Sequence, residues 1–127
     1  MNNILLQVRD LSTQFRLKKG ILTAVSHVSF NLKKGETFGL VGESGSGKSV
    51  SALSIMRLNP SPPAQTTGEI LLEGGDLLLK SLPEMRAIRG GKISMIFQEP
   101  MTSLNPALTI ERQITETIML HQNLDKK

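Results

Sequence analysis

The sequence predicts an α/β fold in which antiparallel strands precede a strand–loop–helix unit, followed by a strand/turn region and a second helix. Between Leu22 and Leu32 apolar and polar residues alternate. Val28, Phe30 and Leu32 fall on one face and His27, Ser29 and Asn31 on the other, the period of a half-buried strand. Between Gly42 and Ser49 the chain passes through three glycines and three serines, entered from an apolar run and left through a helical pattern. From Leu108 to His121, Ile110, Ile114, Ile118 and Met119 recur at helical spacing.

ILLQVRDL (Ile4 to Leu11) reads as the first strand, with imperfect alternation. The polar turn RLKKG leads to the second strand, Leu22 to Leu32, where His27 reads as a solvated residue. KKGE (Lys33 to Glu36) is a second turn signal. ETFGLVG (Glu36 to Gly42) is then expected as a short buried strand. Lys48 to Leu58 is expected as a helix with Val50, Leu53 and Met56 on its apolar stripe and Ala52, Ile55 and Leu58 beside it. NPSPPAQTTG (Asn59 to Gly68) ends that helix, because its prolines cannot continue it, and reads as an exposed connector. GEILLEG (Gly68 to Gly74) reads as a strand and turn. SLPEMRAI (Ser81 to Ile88) is a short helix with Pro83 in its first turn, where proline is tolerated. GGKISMIFQEP (Gly90 to Pro100) reads as a turn, a buried strand and a polar break.

Composition bounds the function. A chain of 127 residues with 39% hydrophobic and 20% charged residues is globular, either one ordinary domain or part of a larger one. It has no cysteine, which excludes disulfides and thiolate chemistry. The net charge is +4, but the pairs Lys18–Lys19, Lys33–Lys34 and Lys126–Lys127 are dispersed, and four phenylalanines are the whole aromatic content. A nucleic-acid surface needs clustered cations with interleaved aromatics, so no nucleic-acid partner is expected. MNNILLQVRDLS has neither a basic leader nor a long apolar region. No apolar run approaches the ~18 residues of a membrane span. The expected location is cytoplasmic, with any membrane role reached through a partner.

Gly42-Glu43-Ser44-Gly45-Ser46-Gly47-Lys48-Ser49 matches G-x-x-x-x-G-K-[ST]. The glycines let the backbone turn with positive φ and approach a ligand closely. Successive N–H groups then form a nest for anionic oxygens, and the helix that follows adds the positive end of its dipole. Lys48 would reach the β- and γ-phosphates and the Ser49 hydroxyl would coordinate Mg²⁺. Gly42 through Val50, where the helix opens, are the expected nucleotide-binding residues.

IFQEPMTSLNP (Ile96 to Pro106) places a glutamine directly after an apolar stretch and before a proline-broken loop. It resembles the Q-loop of ATP-binding cassette (ABC) ATPases. GESGSGKS, GEILLEGGDLL and MIFQEPMTSLNPALTIERQI together resemble the oligopeptide/dipeptide/nickel importer branch of that family, across nearly the whole chain. The resemblance implies an ABC-type P-loop NTPase core, partial, behind an N-terminal antiparallel β-subdomain. It implies ATP and Mg²⁺ as ligands, with Gln98 reaching the metal and the attacking water. An amide is suited to both tasks. It implies that Phe15 stacks on adenine, the alternative being that Phe15 is a core residue.

The same resemblance implies transmembrane permease subunits and a second ATP-binding subunit as partners. A substrate-binding protein would be met only indirectly, and the site of action would be the inner face of the cell membrane. The domain layout it suggests is a β-subdomain over about 1–36, the P-loop strand and helix over 37–58, a strand/turn region over 68–97, and the Q-loop and following helix over 98–122. The LSGGQ-type signature, the Walker B strand ending in Asp-Glu, the D-loop and the switch histidine of the family have no counterpart in the sequence, and His121 lies on an amphipathic helix. The expectation is therefore the N-terminal portion of one nucleotide-binding domain, which binds ATP without hydrolysing it. A non-transport ABC ATPase, and another P-loop protein such as a kinase or GTPase, stay open as alternatives.

Overall fold

The computed structural model describes residues 3–122 and 124 and divides the chain into two compact units, residues 1–80 and 81–127. The first unit is built on a four-stranded antiparallel sheet. β1 (Ile4–Leu17) and β2 (Gly20–Lys33) form a long hairpin, and β1 pairs on its other side with β3 (Ala64–Leu72), which carries the short β4 (Gly75–Asp76). The spatial order is β2-β1-β3-β4.

The imperfect alternation of β1 has a local cause. Leu6 and Val8 are buried, and so are Leu11 and Thr13. A regular strand would put Val8 and Leu11 on opposite faces. The register shifts between them, and Asp10 in that gap has φ 50°. This bulge returns the apolar residues to one face. Across the hairpin His27 also has a positive φ of 51°, and each of these two residues donates its backbone N–H to a serine hydroxyl of the other strand. Asp10 N–H reaches Ser29 Oγ at 2.8 Å, and His27 N–H reaches Ser12 Oγ at 2.9 Å. His27 is solvent-exposed as expected, but its Nδ1 lies 2.6 Å from Asp10 Oδ1.

β3 begins four residues before the strand expected from the sequence, so the connector after the helix is shorter. Gln65–Thr67 look like loop residues in sequence, yet they hydrogen-bond along β1 as far as the pair Phe15–Ala64, and Ala64 is buried.

α1 (Lys48–Ile55) packs on the sheet, and its burial pattern departs from the apolar stripe expected for it. Its buried residues are Ser51 and Ser54, followed by Met56 at its C-cap. Val50 and Leu53 are only half-buried. The segment 36–43 is a second correction. It forms no ladder with any described strand and is exposed along its length, Val41 by 90%. The apolar content suits a buried strand, but a strand exists only through a hydrogen-bonded neighbour. Phe38 instead stacks on Phe30, with ring centroids 5.0 Å apart.

In the second unit α2 (Leu82–Ile88) starts at a capping box. Ser81 Oγ accepts from Glu84 N–H, and the Glu84 carboxylate accepts from Ser81 N–H at 2.7 Å. The buried strand expected before Gln98 is also absent. Ile93 makes an isolated parallel bridge to Arg89, residues 94–98 join no described ladder, and Ile96 is 91% exposed. α3 (Ile110–Gln122) has the expected amphipathic pattern, with Ile110 and Ile114 open to solvent. Gln113 fastens the preceding loop to α3: its Oε1 accepts from Asn105 N–H at 2.9 Å, and its Nε2 donates to Leu108 O at 3.0 Å. His121 packs against Gly90, where an added Cβ would meet its Nε2 at 2.6 Å. No described helix is long and apolar enough to cross a membrane.

Candidate nucleotide-phosphate site

The extended segment 36–43 runs from the turn after β2 into the glycine-rich loop, and the loop runs into α1. Gly45 (φ 80°) and Gly47 (φ 94°) take left-handed conformations. Gly47 is the N-cap of α1, and a Cβ there would stand 2.5 Å from the carbonyl oxygen of Ala24 on β2. The loop closes against the hairpin only because this side chain is missing. A Cβ on Gly42 would fill the opposite wall, 2.5 Å from Ser46 Oγ and 3.7 Å from Lys48 Nζ. Ser46 N–H donates to Glu43 O at 3.1 Å and tightens the turn around Ser44 and Gly45.

Lys48 curls back into this concavity. Its Nζ donates to Gly42 O and to Glu43 O, both at 2.6 Å, and to Ser46 Oγ at 3.2 Å. A cation therefore stands at the mouth of a loop that also opens the N-terminal end of an eight-residue helix. Ser49, exposed in the first turn, offers a hydroxyl oxygen, the hard donor type that Mg²⁺ prefers. Ser51 locks the junction, donating both its Oγ–H and its N–H to Gly47 O at 2.8 Å. Val50 is half-buried, and its carbonyl accepts from Ser54 Oγ at 2.7 Å.

Phe15 sits within β1, paired with Leu22 and Ala64, and is half-buried. Gln98 is exposed on a bend just before the 3-10 turn Pro100–Ser103, so Gln98 belongs to the second unit and Ser49 to the first.

Sequence reasoning passed over the hydroxyl groups behind the loop. Thr13 Oγ1 lies 2.7 Å from Ser54 Oγ in the core, Thr66 Oγ1 lies 3.3 Å from Thr13, and Asn59 Nδ2 donates to Ser54 Oγ at 2.8 Å. The available signal was two serines three positions apart inside a helix otherwise lined with apolar residues.

Residues 25–126 match the ABC transporter family. The chain is an ABC transporter family member. The oligopeptide transport ATP-binding protein OppD of Bacillus subtilis (strain 168) is 50% identical to this ABC chain over 124 residues, which is 97% of this chain and 35% of the relative. The dipeptide transport ATP-binding protein DppD of the same organism is 51% identical over 123 residues, 96% of this chain and 37% of the relative. The peptidoglycan transport ATP-binding protein YejF of Agrobacterium fabrum (strain C58 / ATCC 33970) is 59% identical over 121 residues, 93% of this chain and 22% of the relative. The ABC chain thus spans about a third of OppD and DppD and less of YejF. In fold it superposes on the ATP-binding cassette MJ0796 in a post-hydrolysis state bound to ADP and Pi. The TM-score is 0.82 at 24% identity, covering 96% of this chain and 50% of that one. The ABC chain is accordingly a partial α/β P-loop NTPase core with an antiparallel β-subdomain.

Proposed function

We propose that this chain is the ATP-binding portion of an importer ATPase subunit that couples ATP to uptake of peptides or related small solutes. The observation that carries the nucleotide reading is the position of Lys48. Its ammonium is held by the Gly42 and Glu43 carbonyls at 2.6 Å, at the mouth of a loop with left-handed glycines and at the head of α1. Phosphate oxygens would take the place of those carbonyls as partners of the ammonium. The N–H groups of Gly45 through Val50 would receive the remaining negative charge. Mg²⁺, when bound, neutralises charge on the phosphates; in the first unit Ser49 is the oxygen donor that would hold it, and in the second unit Gln98 is the candidate donor. Phe15 would offer a ring face to adenine.

The transport reading is supported by the names of the relatives, which specify oligopeptide, dipeptide and peptidoglycan transport. Permease subunits and a second ATP-binding subunit are the proposed partners, with a substrate-binding protein engaged only through them. The proposed location is the cytoplasmic face of the membrane.

Titration of the 127-residue chain with a fluorescent ATP analogue and Mg²⁺ tests the nucleotide reading. Weak binding is expected, and Lys48→Ala should abolish the preference for a γ-phosphate because it deletes the charge nearest to it. Equal binding by the two chains would overturn the assignment of the loop.

A further inference from the structure

The buried hydroxyls behind the loop have only one consistent direction. Ser54 Oγ donates its single proton to Val50 O at 2.7 Å and receives Asn59 Nδ2–H at 2.8 Å. Its contact with Thr13 Oγ1 at 2.7 Å therefore has Thr13 as the donor. Thr13, its proton spent, accepts from Thr66 Oγ1 at 3.3 Å. The chain runs from Thr66 on β3 through Thr13 on β1 to Ser54 on α1 and ends on the carbonyl of Val50, one turn into the helix that carries Lys48 and Ser49. Thr13 and Ser54 are at most 1% exposed, and no described buried side-chain polar atom lacks a partner.

Thr13 and Phe15 stand two positions apart on β1 and pair in unbroken register with Thr66 and Ala64 of β3, hence on one face of the sheet. Ser54 stands on the helix whose first turn holds the phosphate-binding groups. The pair is thus the direct polar tie between the strand bearing the ring and the helix bearing the ammonium. We infer that Thr13 and Ser54 are positioning residues that fix the separation of the base platform at Phe15 from the phosphate loop, an inference that rests on the nucleotide reading above. Dispersion contacts tolerate sliding of a helix over a sheet, whereas a hydroxyl pair at 2.7 Å with every proton assigned has one register. A ligand that touches only the loop is indifferent to that register. A ligand that must reach both ends is not.

The test compares ATP with inorganic tripolyphosphate, both measured by displacement of a fluorescent nucleotide from the 127-residue chain in Mg²⁺. Thr13→Val keeps the shape and deletes the donor. ATP should weaken about tenfold, a change of about 1.4 kcal/mol, while tripolyphosphate stays within about twofold. Thr13→Ser, which restores the hydroxyl, should recover ATP affinity. Thr66→Val, which removes only the far end of the relay, should give a smaller loss of the same kind and serves if Thr13→Val does not fold. Equal weakening of both ligands, or unchanged affinity for both, overturns the inference and leaves the phosphate loop standing. Failure of the unsubstituted chain to bind either ligand overturns the nucleotide reading and this inference together.

Discussion

The carbonyl oxygen of Ala24 on β2 lies only 2.5 Å from where the Cβ of any other residue at position 47 would stand. Gly47 therefore joins two requirements in one position: a φ of 94° that starts α1, and a backbone contact that seats the loop on the hairpin.

Gly47→Ala should cost about 2–4 kcal/mol, the left-handed penalty plus the collision. Nucleotide binding should be lost with it. Gly45→Ala, at φ 80° with nothing within 4 Å of the added carbon, should cost only about 1–2 kcal/mol. Thermal unfolding of the two variants side by side measures the difference, and equal melting points would contradict the Ala24 contact.

Phe15→Ala should weaken ATP by about 1–2 kcal/mol, the scale of aromatic–base stacking, and leave inorganic tripolyphosphate unchanged. Phe15 is half-buried between Leu22 and Ala64, so a core role is the competing account. Parallel loss of both ligands, together with a lower melting point, would select that account.

Val41 and Ile96 are 90% and 91% exposed on extended segments that join no described ladder. Unpaired apolar backbone of this kind invites association. The 127-residue chain should self-associate with rising concentration, and Val41→Ser or Ile96→Ser should reduce this while changing stability by no more than about 0.5 kcal/mol. Light scattering and thermal melts decide it. A monomer at every concentration would mean that these segments are covered.

On the proposed reading Lys48 and Ser49 would serve phosphate and metal, with Gln98 as a further candidate donor, but hydrolysis also needs a carboxylate that polarises water. Glu99 is the nearest in sequence to Gln98, and it stands solvent-exposed at the N-cap of the 3-10 turn Pro100–Ser103. These 127 residues alone should therefore bind ATP without turning it over above background. Steady phosphate release that disappears on Lys48→Ala would show a catalytic carboxylate elsewhere in the chain.

The sequence by itself determined the features that depend on a few consecutive residues. Gly42 to Ser49 encode the loop because glycine alone adopts its left-handed turns cheaply. Ser81, Pro83 and Glu84 encode the start of α2 because a capping box closes within four residues. The turn at Lys18–Lys19 divides the hairpin because both flanking strands have their own period. Tertiary structure decided what depends on partners far along the chain. Spacing along Lys48–Leu58 pointed to Val50, Leu53 and Met56 as the inner face; Met56 is buried, but the sheet buries Ser51 and Ser54 in place of Val50 and Leu53, because Ser54 finds Thr13 across 41 positions and Thr13 finds Thr66 across 53. The polar residues Gln65–Thr67 became strand because β1 was there to pair with them. Residues 36–43 and 94–98, which look more strand-like, join no described ladder. Hydrophobic pattern is a property of a segment, but a hydrogen-bonded ladder and a satisfied buried hydroxyl are properties of two segments, and only the folded chain brings the second one.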